Sequence, residues 1–236
     1  MPRRPSPSHR LVTAAAWPVG IGFTAWDYMW RITPLHRREL EGSMEHDAPP
    51  PFPAGASRKE TQLADAGVGP LFHRRYQARV AEHDLSAEQL MARVAGDLND
   101  VAPTEFARFI KVDGKKRTVE VGDEYVVRMP GPWDGPVRVV QRTPTSFRLA
   151  TLDGHLEAGQ IEFSVGDNDA GELVFTIESW ARSGDQLSRI MYQRLHMAKE
   201  VQLHMWTSFL ERVVKVAGGR LRGGIDVETR VVDDGD

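Results

Sequence analysis

The residues best suited by type and spacing to do chemistry are His155 and Glu157, two apart in the stretch Gly154-His155-Leu156-Glu157-Ala158-Gly159. A histidine and a carboxylate so spaced can point the same way and share a proton, as general acid–base catalysis requires. The same residues can equally build a turn. A carboxylate accepts backbone N–H bonds, an imidazole fixes the loop, and flanking glycines adopt dihedral angles other residues resist. The second candidate is the row His196, Glu200 and His204, whose i, i+4, i+8 spacing places three metal-ligating types on one helix face. On a helical wheel that face lies about 140–220° from the apolar stripe of the same segment, toward solvent. No further ligand is nominated elsewhere, so neither a metal nor a cofactor is expected. The chain has no cysteine, which removes thiol catalysis, thiolate metal sites and disulfides together.

Composition narrows the remaining possibilities. In 236 residues, 41% are hydrophobic and 27% charged, the balance of an ordinary globular protein with room for one substantial domain and appendages. A net charge of −3 and the lack of a basic stripe interleaved with aromatics argue against a nucleic-acid partner. The cysteine-free composition suits a reducing cytoplasm.

The elements that must position these side chains follow from hydrophobic period. Residues 1–41 open with a basic stretch, "MPRRPSPSHR", followed by sixteen uncharged residues, Leu11 to Trp26. Pro18, Gly20, Gly22 and Asp27 interrupt or end that run, which is also short of the roughly 20 residues a spanning helix needs. No small-x-small cleavage site follows, so a secretory signal is not expected. Trp17, Trp26, Tyr28 and Trp30, beside Arg31, His36, Arg37 and Arg38, suit a helical segment lying in a membrane interface; they suit equally an arm packed on the main domain. Residues 42–68, containing "APPPFPAGAS", read as a semi-rigid Pro-rich linker.

From residue 69 to 219 the pattern is that of one domain, with 220–236 as a tail able to add a short strand. "LFHRRYQARV" alternates as a half-buried strand, with Phe72, Tyr76, Ala78 and Val80 on one face. Ser86 with Gln89 opens a helix as a capping box. Six further strands are expected, near 106–112, 124–129, 137–142, 147–151, 160–165 and 173–180, separated by short turns that imply an antiparallel meander. Tyr125, Val127, Val137, Val139, Phe147, Leu149, Ile161, Phe163, Val165, Leu173, Phe175 and Ile177 share one face. Glu124, Arg128, Arg138, Arg142, Arg148, Glu162 and Glu178 share the other, a solvated surface of cross-strand ion pairs. A helix then runs from a capping box at Ser183 and Gln186 to about Ala217, its stripe including Met191, Leu195, Ala198, Met205, Phe209 and Val213. An α+β fold is expected, with an antiparallel sheet of six or seven strands covered on its apolar face by one long helix.

One loop stands apart. In "MPGPWDGPVRVV", three prolines and two glycines stiffen the chain around Trp133. Its indole either folds back on the core edge or forms a rigid aromatic rim to a binding site.

The order strand, short helix, meander and long terminal helix resembles the helix-grip fold of the START-like (SRPBCC) superfamily. "GHLEAGQIEF", Gly131-Pro132-Trp133 and the terminal helix resemble one uncharacterised actinobacterial branch of it, a family of unknown function, over about residues 69–219. That branch often carries Glu-Glu-x-Phe where this chain has Gln160-Ile161-Glu162-Phe163. The resemblance implies a cavity between sheet and helix that usually takes an apolar ligand such as a lipid, sterol or polyketide, in a superfamily where some members are cyclases or dehydratases and many only bind. The apolar sheet parity and the lack of a convincing catalytic constellation favour binding a lipid or other hydrophobic small molecule without chemistry. The cavity walls would be Tyr76, Tyr125, Val127, Trp133, Phe147, Leu149, Phe163, Phe175 and Ile177, with Met191, Leu195, Ala198 and Met205 from the helix. The composition places such a binder in the cytoplasm, and residues 11–30 would allow it a peripheral position on a membrane. The rival readings are a polyketide cyclase- or dehydratase-like enzyme, and a scaffold with a vestigial cavity whose Pro-rich linker docks a protein partner. Oligomeric state is not legible.

Overall fold

A computed structural model describes residues 33–104, 107–115, 117–129, 134–184 and 197–233, with side chains in the last stretch from residue 202 onward. Trp17, Trp26, Tyr28, Trp30, Trp133, Met191, Leu195 and His196 lie outside these residues, as do the side chains of Ala198 and Glu200. The described elements are β1 (Leu35–Glu41), α1 (Met44–Asp47), β2 (Val68–Ala81), α2 (Ala87–Gly96), β3 (Arg108–Asp113), β4 (Glu124–Arg128), β5 (Asp134–Thr143), β6 (Ser146–Thr151), β7 (Glu157–Asp167), β8 (Leu173–Ser183), α3 (Met197–Val216) and β9 (Arg220–Val232).

The strands form a single sheet in the order β1-β9-β2-β8-β7-β6-β5-β4-β3. β2 through β8 are the seven strands that period-two alternation predicts, paired antiparallel down the meander. The sheet has nine strands rather than six or seven because two of its members lack a clean alternation. β1 carries charged residues exposed along nearly its whole length and pairs with β9 in parallel. β9 is not a frayed tail. It runs antiparallel to β2, between β2 and β1, and puts Ile225 and Val227 into the core. Its alternation is broken by Gly223 and Gly224, both at positive φ, where the pairing with β2 shifts register. A side chain at Gly224 would also run into the carbonyl of Pro34, so the bulge needs glycine there.

The inner face buries Tyr76, Ala78 and Val80 of β2 with Phe147, Leu149, Phe163, Phe175 and Ile177, all fully or nearly fully removed from solvent. α2, capped reciprocally by Ser86 and Gln89 as expected, adds Leu90, Met91 and Val94 to the same core. α3 lies against this face. Its Phe209 meets Phe163 at 5.5 Å and Phe175 at 6.2 Å between ring centroids, and Trp206 meets Phe163 edge-on at 5.5 Å. Burying each such ring contributes on the order of 2–3 kcal/mol, so α3 is held by its aromatic seam more than by intrinsic helix propensity.

The outer face departs most from expectation. Residues 42–63 are a strap laid across the sheet rather than a linker. The strap starts with Gly42 N–H donating to Val231 at the end of β9. It then passes over β7, where Gln160 donates to the Pro50 carbonyl at 3.1 Å, and over β6, where Arg148 donates to Pro51 at 3.3 Å. Over β5, Arg138 donates to Ser57 at 3.3 Å and Lys59 at 2.5 Å. It returns along the β6–β7 end, where the Gln62 carbonyl accepts from Thr151 Oγ1 at 2.6 Å and from the Gly159 N–H at 2.9 Å. A Pro-rich backbone has few N–H groups to offer but every carbonyl still needs a donor. Arginine and glutamine side chains standing off the sheet supply those donors.

The array expected to be wet is therefore covered in part: Arg128 stays exposed and Glu124, Arg142, Glu162 and Glu178 keep some access to solvent. Arg138, Arg148, Gln160 and His73 are buried, and the ion pairs Arg138–Glu124 (2.6 Å) and Arg148–Glu162 (2.9 Å) lie beside the strap. At its start the strap is clasped by His73. That ring stacks on Trp180 at 5.2 Å, with Asp47 Oδ1 2.7 Å from Nδ1 and Glu178 Oε1 2.7 Å from Nε2. Carboxylates on both nitrogens require two N–H donors, so the ring is an imidazolium. Burial opposes its charge, but the bonds to Glu178 and Asp47 outweigh burial and raise its pKa above the ordinary value. Burial likewise opposes ionisation of Asp47 and Glu178, yet the bonds from His73, with Ser43 N–H and Arg75 respectively, hold both below the carboxylate range.

Candidate functional site

The inner face is apolar along its centre and polar at one end. On β2 the inward positions read Phe72, Arg74, Tyr76, Ala78 and Val80, so Arg74 projects from the same face as the core and is 3% exposed. Its cross-strand neighbour on β8 is Ser179, which follows Phe175 and Ile177 on the inward register. Ser179 in turn opposes Ile161 of β7, one inward position from Phe163 and two from Glu157. Arg74 reaches across β8 to Glu157, with Nη1 3.5 Å from Oε1, and its guanidinium lies 4.6 Å from the Phe72 ring centroid. The other Glu157 oxygen accepts from Gln202 Nε2 of α3 at 3.3 Å.

One helical turn on from Gln202, Trp206 stands against Phe163. The strand and the helix thus enclose Ser179 between the Glu157–Gln202 contact and the Trp206–Phe163 contact. Within this enclosure Ser179 Oγ and Trp206 Nε1 are buried and have no hydrogen-bond partner among the described residues. An unsatisfied buried polar group costs on the order of 1–3 kcal/mol, so each of the two marks a position along the seam where a further oxygen-bearing group would be welcome.

Glu157 belongs to this cluster, but His155 does not join it. His155 Nδ1 accepts the Glu157 main-chain N–H at 2.9 Å, and its Nε2 edge abuts Gly135, where an added Cβ would come within 2.9 Å. Desolvation lowers the His155 pKa despite an opposing pull from Glu157. The two side chains are used separately, the imidazole to close the turn and the carboxylate to pair with Arg74. Tyr76, Phe147, Leu149, Phe163, Phe175, Ile177 and Met205 lie in the core that faces α3. Tyr125 and Val127 lie in its β3–β4 part, where Tyr125 OH donates to the Thr118 carbonyl at 3.0 Å; burial pushes its phenol pKa further up. His204, expected in solvent, is 3% exposed, because Leu203 to Thr207 are buried without a break and this turn of α3 is covered on every side.

Arg74, Ser179 and Trp206 are the residues that pattern reading missed. For Arg74 and Ser179 the signal was present: each is a polar residue on an otherwise apolar parity. Two clefts, of about 430 and 400 Å³, lie elsewhere, the first beside Pro34, His36 and Gly223 and the second beside Asp65, Gly67 and Arg182. Both sit at strand ends, away from the helix–sheet seam.

Comparison with known proteins adds a family. The profile of a family described as "Domain of unknown function (DUF1990)" matches residues 57–216. No curated protein matches. Among solved structures, hypothetical protein jhp0584 from Helicobacter pylori is 8% identical, over 71% of this chain and 95% of its own, with a TM-score of 0.46. Norcoclaurine synthase from Thalictrum flavum, in complex with dopamine and hydroxybenzaldehyde, is 11% identical over 70% and 96%, with a TM-score of 0.43. Protein Ms6760 from Mycobacterium smegmatis is 14% identical over 61% and 89%, with a TM-score of 0.40.

Proposed function

This chain belongs to the DUF1990 family, and from its own geometry we propose that it binds a hydrophobic small molecule non-covalently at the seam between the inner sheet face and α3. The observation that carries this reading is the seam's gradient. Aromatic packing at Phe163, Phe175, Trp206 and Phe209 gives way to the enclosed Arg74–Glu157–Ser179 cluster, with Ser179 Oγ and Trp206 Nε1 buried and without a hydrogen-bond partner among the described residues. Ligand sites are built in this way, mostly apolar with a few convergent polar groups. Catalysis is the weaker reading, since the only acid–base pair the sequence nominates is split between two structural tasks. The aromatic and basic residues of positions 11–38 support ligand exchange at a membrane surface. No helix among the described residues is long and apolar enough to cross one.

Native mass spectrometry of the full chain, purified from its own host, tests the proposal. A reproducible adduct released on denaturation and weakened by Trp206→Ala is expected. A bare mass under several growth conditions would refute it. Flotation with lipid vesicles tests the membrane part: full chain should float, and chain lacking residues 1–32 should not.

A further inference from the structure

We infer that the polar end of the seam selects an uncharged oxygen, a carbonyl or hydroxyl on an otherwise apolar molecule, and discriminates against a carboxylate or phosphate. The inference rests on the binding reading above and sharpens it to a ligand class. Among the described residues Arg74 is the cation of the enclosure, and by itself it would call for an anionic head. Its charge is already met. Glu157 Oε1 stands 3.5 Å from Nη1, and both belong to strands fixed on either side of β8. An arriving carboxylate would make the enclosure net negative and would stand close to Glu157 in a poorly screened setting, where like charges repel strongly.

The atoms left to satisfy are of a different kind. Trp206 Nε1 is a donor only, and Ser179 Oγ both donates and accepts. Each suits a neutral oxygen: a ketone lone pair satisfies either donor, and an alcohol can in addition donate to Ser179 Oγ. Neither needs charge on its partner. The apolar remainder of the molecule would lie along Ile161 and Phe163, the side of the enclosure that continues into the core. A neutral head is also the cheaper one to desolvate on entering a buried site.

Delipidated full chain is titrated by calorimetry at pH 7 with four ten-carbon probes: 2-decanone, 1-decanol, decanoate and decane. The ketone and the alcohol should bind at least about tenfold more tightly than decanoate and decane. Trp206→Phe and Ser179→Ala, which keep shape and remove one hydrogen-bonding group, should each weaken 2-decanone about three- to tenfold and leave decane unchanged. Two substitutions guard against one failing to fold. Glu157→Gln keeps the shape but uncovers the Arg74 charge, so decanoate should overtake 2-decanone. Decanoate binding as well as the ketone in the unaltered chain would overturn the inference and leave the binding reading standing. Failure of all four probes, with no adduct by native mass spectrometry, would overturn both.

Discussion

Arg74 and Glu157 are bound to each other's charge, and the energetics of the site follow from that. Truncating Arg74→Leu leaves the mostly buried Glu157 carboxylate without its cation, which should cost about 2–3 kcal/mol, less than a fully buried pair because Glu157 keeps some access to water. The double variant Arg74→Leu/Glu157→Leu should recover most of that loss, and urea unfolding of the two variants measures the difference. A larger single cost is expected at Gly159. A methyl there would lie 2.0 Å from the Trp180 carbonyl of β8, and neither strand can retreat because both are paired on their other sides. Gly159→Ala should destabilise by about 3 kcal/mol or prevent folding, read as a fall of many degrees in Tm. At this scale the sequence was readable in part. Arg74 among Phe72, Tyr76 and Ala78 is one polar residue on an apolar register, a visible exception. The Trp206 indole was not readable, because a helix buried on all sides has no single stripe and the wheel centred on Met205 and Phe209 hid it.

The element that most changes the molecule's behaviour is the strap over the outer face. Prolines made it look like a spacer, since nothing in "APPPFPAGAS" alternates. Its partners are instead the charged residues of the strands below, and their parity had been legible all along. What local pattern could not supply was that two polar stretches, far apart in sequence, satisfy each other. Arg138→Met removes the donors to Ser57 and Lys59. Tryptic cleavage after Arg58 or Lys59 should then accelerate about tenfold, the equivalent of one strong hydrogen bond; an unchanged rate would mean the strap is held elsewhere. The clasp at His73 gives the strap a pH dependence whose sign is fixed. A histidine pKa raised on folding stabilises fully below the ordinary value near 6.5 and loses that contribution as pH rises through the raised one. Asp47 and Glu178, lowered on folding, lose theirs as pH falls through the carboxylate range. Thermal stability should therefore peak between these limits and decline on the alkaline side. His73→Phe keeps a ring on Trp180 but cannot titrate, so its alkaline decline should be flatter in a Tm series from pH 6 to 9.

For the whole molecule, the decisive strand is the last. The family match ends at residue 216, before β9 begins, and starts at 57, after β1 and most of the strap. β9 is not an ornament on that unit. It fills the outer side of β2 along its length, buries Ile225 and Val227 in the common core, and is the only neighbour of β1 among the described strands. Without it, β2 becomes an open edge carrying unpaired backbone groups, which invites pairing between molecules. Its removal also strips apolar contacts from the inner face near the last turns of α3, where Val213 and Ala217 are fully buried. A fragment of residues 57–216 should thus retain much of its far-ultraviolet circular dichroism but lose near-ultraviolet signal and self-associate, the behaviour of a sheet with native strands and no settled core. A fragment of residues 33–236 should keep both signals and stay monodisperse in size-exclusion chromatography under conditions where the full chain does. If the shorter fragment gave sharp, dispersed amide resonances, the core would be complete without β9, and the packing argument that ties β2, α3 and the terminal strand into one unit would fall.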